Sequence, residues 1–260
     1  MKVLIVFAHP DERSLNGSLL EVAVKQLKDD GHEVKVSDLY KMKWKAVIDE
    51  DDFLNHNKGE RLQVAAASGG AFFNNKLTED VVAEQEKLEW ADTVIFQFPL
   101  WWYSMPSILK GWVERVYSLG LAYGVGEHNE TKWGDRYGDG KFKGKRGMLL
   151  ITVGGSNTHY SARGISGPIE DLLFPINHGI LFYPGFDVLP PFTVYSANTM
   201  EPKVFEEWSE KLREHLHNIE TLEPIKYRRQ NGGDYIFPSL ELKPEIGDKN
   251  DHGFSLHIEK

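Results

Sequence analysis

Val3-Leu4-Ile5-Val6-Phe7 runs apolar without a break. A strand that faces water on one side alternates apolar with polar residues, whereas a continuous apolar run is covered on both faces, as in the parallel sheet of an α/β protein. Runs of the same kind return at Thr93-Val94-Ile95-Phe96 and from Met148 to Val153. Glu33 to Val36 offers a further strand, second in chain order, and Val188 to Tyr195 a fifth. Helical periods lie between them. Leu20, Ala23, Val24 and Leu27 recur at helical spacing ahead of Gly31, which stands where a C-terminal cap belongs. Thr78 is expected to cap a helix whose first turn carries Glu79 and Asp80, favourable at the positive end of the dipole. Ile108 to Tyr117 is entered through Pro106, Ile169 to Leu181 is interrupted by Pro175, and Phe205, Trp208, Leu212 and Leu216 mark a last amphipathic helix. Residues 40–77 carry no sustained period and read as a long excursion with short helices, and residues 120–147 as an exposed loop or hairpin.

No Gly-x-Gly-x-x-Gly follows the first strand, which argues against the dinucleotide-binding arrangement. The pattern fits a flavodoxin-like, doubly wound five-stranded parallel sheet of order 2-1-3-4-5, which places ligands beyond the carboxyl ends of strands 1 and 3. Residues 1–220 form this domain. Residues 221–260, polar but studded with Tyr227, Tyr235, Phe237 and Phe254, form a C-terminal tail expected to pack on the domain or on a partner subunit.

Composition narrows the chemistry. Among 260 residues there is no cysteine, so disulfides, thiolate metal sites and thiol nucleophiles are excluded, and any redox step belongs to a bound cofactor. A net charge of -9 without a basic block excludes nucleic acid or an anionic membrane surface as partner. The apolar run near the start is too short for a signal peptide or a membrane span, which predicts a cytoplasmic protein. No metal is expected.

Three loops at the sheet's carboxyl edge carry candidate functional residues. The first, His9-Pro10-Asp11-Glu12-Arg13-Ser14-Leu15-Asn16, opens a helix whose N–H groups suit a phosphate, although Ser14 or Asn16 would serve equally as a plain N-cap. The second, Pro99-Leu100-Trp101-Trp102-Tyr103-Ser104, holds adjacent aromatics that cannot all face one core, so some line a pocket for a flat ligand or an interface. The third, Thr152-Val153-Gly154-Gly155-Ser156 followed by Tyr160, pairs glycines whose N–H groups can approach a ring edge and stabilise anionic charge; a tight turn would use the same residues.

Together these loops describe a flavin nucleotide site. Here the sequence resembles the NAD(P)H:quinone oxidoreductases, or DT-diaphorases, over about residues 2–220. The resemblance is carried by Ala8-His9-x4-Ser14-x-Asn16, Val82-Ala83-Glu84-Gln85, Ile95-Phe96-Gln97-Phe98-Pro99-Leu100, Leu109-Lys110-Gly111-Trp112, Glu114-Arg115, Gly154-Gly155-Ser156, Tyr160 and Pro175-Ile176-x-x-Gly179-Ile180-Leu181. The segment Tyr227 to Tyr235 is similar to that of longer bacterial members.

The resemblance implies a homodimeric flavoenzyme that passes a hydride from NADH or NADPH to flavin N5 and then two electrons to a quinone, in ping-pong fashion. It implies that His9, Ser14, Leu15 and Asn16 hold the flavin phosphates and that Gln63 reaches the adenosine half of FAD, with FMN the alternative. Pro99, Leu100, Trp101, Trp102 and Tyr103 would flank the isoalloxazine, while Thr152, Val153, Gly154, Gly155 and Tyr160 would meet its pyrimidine edge. Trp102, Tyr103, Tyr123 and a partner's Tyr183 would bound the substrate. Two other activities remain open on the same pattern: an FMN-dependent azo or nitro reductase, and a nucleotide-sensing regulatory subunit of a membrane transporter. One position departs from the family. Six residues after Tyr160, where members carry a histidine that relays charge, stands Ser166, so backbone dipoles and the Tyr160 hydroxyl would have to suffice, or His159 or His178 could substitute.

Overall fold

The computed structural model describes residues 1–247 and 252–259. Its strands are β1 (Lys2–Phe7), β2 (Glu33–Asp38), β3 (Thr93–Pro99), β4 (His128–Asn129), β5 (Lys132–Trp133), β6 (Arg146–Thr152), β7 (Asp187–Val188), β8 (Phe192–Val194), β9 (Tyr235–Ile236) and β10 (Glu241–Leu242). Its helices are α1 (Leu15–Asp29), α2 (Val64–Phe73), α3 (Glu79–Trp90), α4 (Ser107–Val116), α5 (Ile169–Ile176) and α6 (Pro202–His217). The main sheet runs β2-β1-β3-β6-β7, with β8 also on β6, and every pairing in it is parallel.

Two apolar layers sandwich this sheet. Along β1, Val3 and Ile5 join Leu19, Ala23 and Leu27 of α1 and Leu212 and Leu216 of α6. Leu4 and Val6 point the other way, to Val81 and Leu88 of α3, Leu109 and Trp112 of α4 and Leu173 of α5. Each of these side chains is at 0% exposure, so each of those larger than alanine contributes about 1.5–3 kcal/mol of burial before chain entropy is set against it. The fully covered residues of α1 are thus Leu19, Ala23 and Leu27, and the expected Leu20 and Val24 pack at the rim of that layer.

Three local expectations need correction. The fifth strand is not continuous: β7 pairs with Arg146–Gly147 and β8 with Leu150–Thr152, so the sheet has 6 strands. Pro190 and Pro191 lie between the halves and have no N–H to give the ladder. Thr78 stands at the N-cap of α3 but makes no capping bond with its side chain; its hydroxyl accepts from Arg115 Nη2 at 3.4 Å. The helix around Pro175 does not simply break, since α5 passes into a π-helical turn over Asn177–Phe182.

The tail packs on its own domain. Ile225 donates its N–H to the Val188 carbonyl at 2.7 Å, and the Phe254 ring stacks on Phe174 of α5 with centroids 4.3 Å apart. The segment 120–147 carries the exposed hairpin β4–β5, which the tail grips: Trp133 meets Phe237 edge-on, and Gln230 Nε2 donates to the carbonyls of Trp133 and Gly134. Among the described residues no helix is long and apolar enough to cross a membrane, and no group of side chains is arranged to hold a metal ion.

His178, on the π-helical turn, is stacked between Tyr137 and Phe174, and burial, with a smaller contribution from His257, holds its pKa down at about 4. Arg136, Arg228 and His257 line the pocket beside it, and Arg228 is paired to Asp234. An unfolded histidine binds its proton near pH 6.5, the folded one only near 4, so stability is full above pH 7 and is lost as pH falls from 6.5 towards 4. Partial exposure reduces the loss to about 2 kcal/mol. Urea unfolding of wild type and His178→Phe across this window checks it, the variant being expected to show a flatter profile.

Candidate active site

The carboxyl ends of β1, β3 and β6 lie side by side, which brings the three loops together. In the first loop Ser14 caps α1, its Oγ accepting from the Gly17 N–H at 3.1 Å. The first intrahelical bond runs from Ser18 N to Ser14 O, so the N–H groups of Leu15 and Asn16 precede the ladder and point out of the helix N-terminus. Capping therefore uses Ser14 as acceptor and leaves its own O–H and these N–H groups for an anion. No acidic residue occupies the first turn of α1 to compete for them. His9 Nδ1 lies 3.0 Å from the Asp11 carbonyl oxygen and 3.1 Å from the Asp11 N–H, which fixes the ring at the mouth of the loop in either tautomer. Arg13 is clasped by Asp11, and that bond holds the Asp11 carboxyl at about 2, well below the usual carboxylate range.

The second loop is a tight two-residue turn. Trp101 and Ser104 exchange backbone hydrogen bonds, both at 3.0 Å, and the residues between them, Trp102 and Tyr103, sit in the left-handed region with φ of 49° and 60°. Bulky side chains adopt that conformation at a cost of about 1–2 kcal/mol each, strain of the kind that collects at functional sites. The turn lifts both rings into solvent. Trp102 is 96% exposed, and Trp101 and Tyr103 are exposed to lesser degrees, so the expectation that these aromatics do not share one core holds. Trp101 leans towards His9 with ring centroids 5.9 Å apart, joining the first two loops.

The third loop is tied to the first from below. Asn16 Nδ2 donates to Thr152 Oγ1 at 2.8 Å, and Gln97 Nε2 on β3 donates to the Asn16 carbonyl at 2.8 Å. Asn16 Oδ1 and Gln97 Oε1 are buried and have no donor. Val153 has both backbone groups engaged, its N–H with Val194 and its carbonyl with Ala197, and its side chain is buried in the core, so it supports the loop from beneath. Gly154 and Gly155 follow. A Cβ on Gly155 would come within 3.0 Å of His159 Nδ1 and of the Tyr160 ring, and one on Gly154 within 2.8 Å of Asn198 Nδ2, so side chains crowd both glycines. Pro99, Leu100, Trp101, Trp102, Thr152 and Gly154, with Ala197 and Asn198, line a cleft of about 560 Å³, a size usual for cofactor sites.

Tyr160 is half-buried between Gly155 and Tyr195, whose ring centroid is 6.1 Å away, and burial pushes its pKa up, with Tyr103 adding to the shift. The Tyr160 hydroxyl is thus a neutral donor at pH 7. Of the two histidines named as substitutes for the family's relay group, His159 lies against Gly155, and His178 is excluded because it is stacked beneath the tail. Ser166 donates its N–H to the His159 carbonyl at 3.0 Å, which closes the loop that carries Tyr160.

Other expected residues stand apart from the cleft. Gln63 is exposed at the N-terminus of α2. Tyr123 bonds through its hydroxyl to Ser68 of α2 at 3.2 Å, and Tyr183 packs edge-on against Tyr137 at 4.8 Å. No contact among the described residues joins either tyrosine to Trp102 or Tyr103 of the same chain. Gln97, Ala197 and Asn198 were not foreseen. Gln97 is a lone polar residue in an apolar strand, a signal available in the sequence, whereas Asn198 reaches the cleft only because β8 ends beside β6.

Over residues 1–216 the sequence matches the family described as having a flavodoxin-like fold. A ribosyldihydronicotinamide dehydrogenase-like protein of Penicillium crustosum is 57% identical across 99% of this chain and 95% of its own. NAD(P)H dehydrogenase (quinone) 1 of Rattus norvegicus is 42% identical across 98% of this chain and 92% of its own. The chain belongs to the flavodoxin-like NAD(P)H:quinone oxidoreductase family. A crystal structure from Klebsiella pneumoniae, assigned by name to the quinone reductases, superposes with a TM-score of 0.97 at 54% identity over 100% of both chains. For a family member, the cleft at the carboxyl edge of β1, β3 and β6 stands where a doubly wound sheet binds its ligand. The Rattus relative aligns over nearly the whole chain, so the tail too lies within the shared length.

Proposed function

We propose that the protein is an NAD(P)H dehydrogenase that reduces quinones through a bound flavin. One observation carries this reading: a cleft lined by exposed rings and the Gly154 backbone opens beside the open N–H donors of a helix N-terminus, joined to it by the Asn16–Thr152 bond and the His9–Trp101 ring contact, in a chain with no cysteine. Each part suits a different portion of a flavin nucleotide. His9, Ser14, Leu15 and Asn16 would hold its phosphate, and the unpaired oxygens of Asn16 and Gln97 call for the kind of donor that a hydroxylated chain supplies. Pro99, Leu100, Trp101 and Trp102 would line the ring system, with Thr152, Gly154, Gly155 and Tyr160 at its polar edge. Bound flavin supplies the two-electron hydride chemistry that no side chain here can. The protein's part is to orient the ring, leave one face open for the nicotinamide and the acceptor in turn, and meet negative charge with the Tyr160 hydroxyl and the glycine N–H groups.

In this reading the protein is a cytoplasmic homodimer that uses FAD rather than FMN. The nearly complete exposure of Trp102 and Ile165, both 96%, supports a second subunit covering this edge, and Tyr123 and Tyr183 would then bound the partner's substrate pocket. Purified protein is expected to be yellow, with about one flavin per chain, and heat release followed by chromatography should give FAD. A colourless preparation that takes up no added flavin would end this reading, and FMN alone would reverse the choice of cofactor. Steady-state turnover of a soluble quinone with NADH or NADPH separates an enzyme from a nucleotide-sensing subunit.

A further inference from the structure

The tail closes a second pocket, of about 350 Å³, which shares no lining residue with the cleft. Its walls are flat rings: Phe254 stacks on Phe174 at 4.3 Å, and His178 stacks on Phe174 at 4.5 Å and on Tyr137 at 4.8 Å. Its polar lining is cationic. Arg228 is held by Asp234 at 2.6 Å and by the Leu256 carbonyl at 3.0 Å. Arg136 is anchored through Nε to Gln230 and pairs with no carboxylate among the described residues, although the chain carries a net charge of -9. His178 Nε2 is buried with no hydrogen-bond partner. Leu240, on the rim, is held at a φ of 56°, left-handed backbone that a leucine adopts only under constraint.

We propose that this pocket is a binding site for a small planar aromatic carboxylate. An aromatic ring matches the stacked walls, and a carboxylate matches the unpaired guanidinium, which binds such a group with two parallel donors. The volume takes one ring or a fused pair but is small for a whole dinucleotide, so the site is not a second seat for the nicotinamide substrate. An occupant would rest one ring, that of Tyr137, away from Tyr183, since Tyr137 touches both His178 and Tyr183.

The test is a fluorine-detected titration of the flavin-loaded protein with 4-fluorobenzoate. The expected result is saturable binding at one site per chain. Arg136→Met, which keeps the side-chain bulk and removes the charge, should weaken binding by about tenfold or more. Leu240→Trp, which fills the pocket from its rim, should abolish it. The neutral isostere 4-fluorobenzamide and inorganic phosphate, each lacking one half of the recognised chemistry, should bind at least about tenfold more weakly. No saturation, unchanged affinity in Leu240→Trp, or equal affinity for either control would overturn the proposal. Arg136→Met decides alone if the tryptophan variant fails to fold.

Discussion

Replacing Arg115 with alanine is expected to cost about 3–5 kcal/mol of folding stability. Arg115 on α4 is the hub of a buried network: its Nε donates to Asp52 Oδ1 at 2.8 Å, Nη2 lies 2.8 Å from the same carboxylate and 2.7 Å from Asp80, and its guanidinium sits 4.4 Å from the centre of the Trp44 ring. Both Arg115 and Asp52 have side chains only 2% exposed. Removing the guanidinium leaves the Asp52 charge in a low-dielectric interior with Lys45, at 3.1 Å, as its remaining cation, and that uncompensated charge is the main cost. The double variant Arg115→Met with Asp52→Asn should therefore recover part of the loss. Urea unfolding of the three proteins measures this, and a loss below about 1 kcal/mol in the single variant would show that the pair is not structural. Flavin content should fall with stability, because this network fastens the excursion that leads to Gln63 at the N-terminus of α2.

That network also marks a limit of what residue patterns disclose. Periodicity identifies β1, β3 and β6 because each is buried on both faces and has to be apolar throughout; the sheet order follows from alternation with helices together with the missing Gly-x-Gly-x-x-Gly. The three loops are legible because strand order alone designates the carboxyl edge. Pairings across long separations are not. Arg115 meets Asp52 across 63 residues, and nothing local distinguishes it from a surface arginine. Glu84 and Gln85 illustrate the same point. Both belong to the runs that carry the family resemblance, yet both work in the scaffold: Glu84 accepts from Trp112 Nε1 at 2.8 Å, and Gln85 donates to the Val116 carbonyl at 2.9 Å. The split of the last strand was readable in Pro190-Pro191. The tail's stacking on Phe174 was not, because scattered aromatics have no period to read.

Changing Tyr160 to phenylalanine is expected to slow flavin reduction by NAD(P)H on the order of 10²- to 10³-fold, about 3 kcal/mol, while flavin stays bound. The hydroxyl is a neutral donor, kept so by burial, and no hydrogen bond among the described residues engages it, so it is available for charge that builds during reduction. Flavin retention is the expectation because, in the proposed reading, the α1 N-terminus would hold the phosphate end independently of Tyr160. Ser166 is the discriminating control. Its backbone N–H closes the loop through the His159 carbonyl at 3.0 Å, a bond that alanine keeps, so Ser166→Ala should leave the rate nearly unchanged. With no imidazole at that position, the remaining candidate for a protonated partner is His159, against Gly155. Stopped-flow reduction measured between acidic and neutral pH separates the cases. A pH dependence that disappears in His159→Gln would assign the relay to that ring, and a flat profile would leave the Tyr160 hydroxyl and the backbone donors acting alone. A large loss in Ser166→Ala would instead mean that its hydroxyl carries the charge through water. A wild-type rate in Tyr160→Phe would remove the role from the tyrosine altogether.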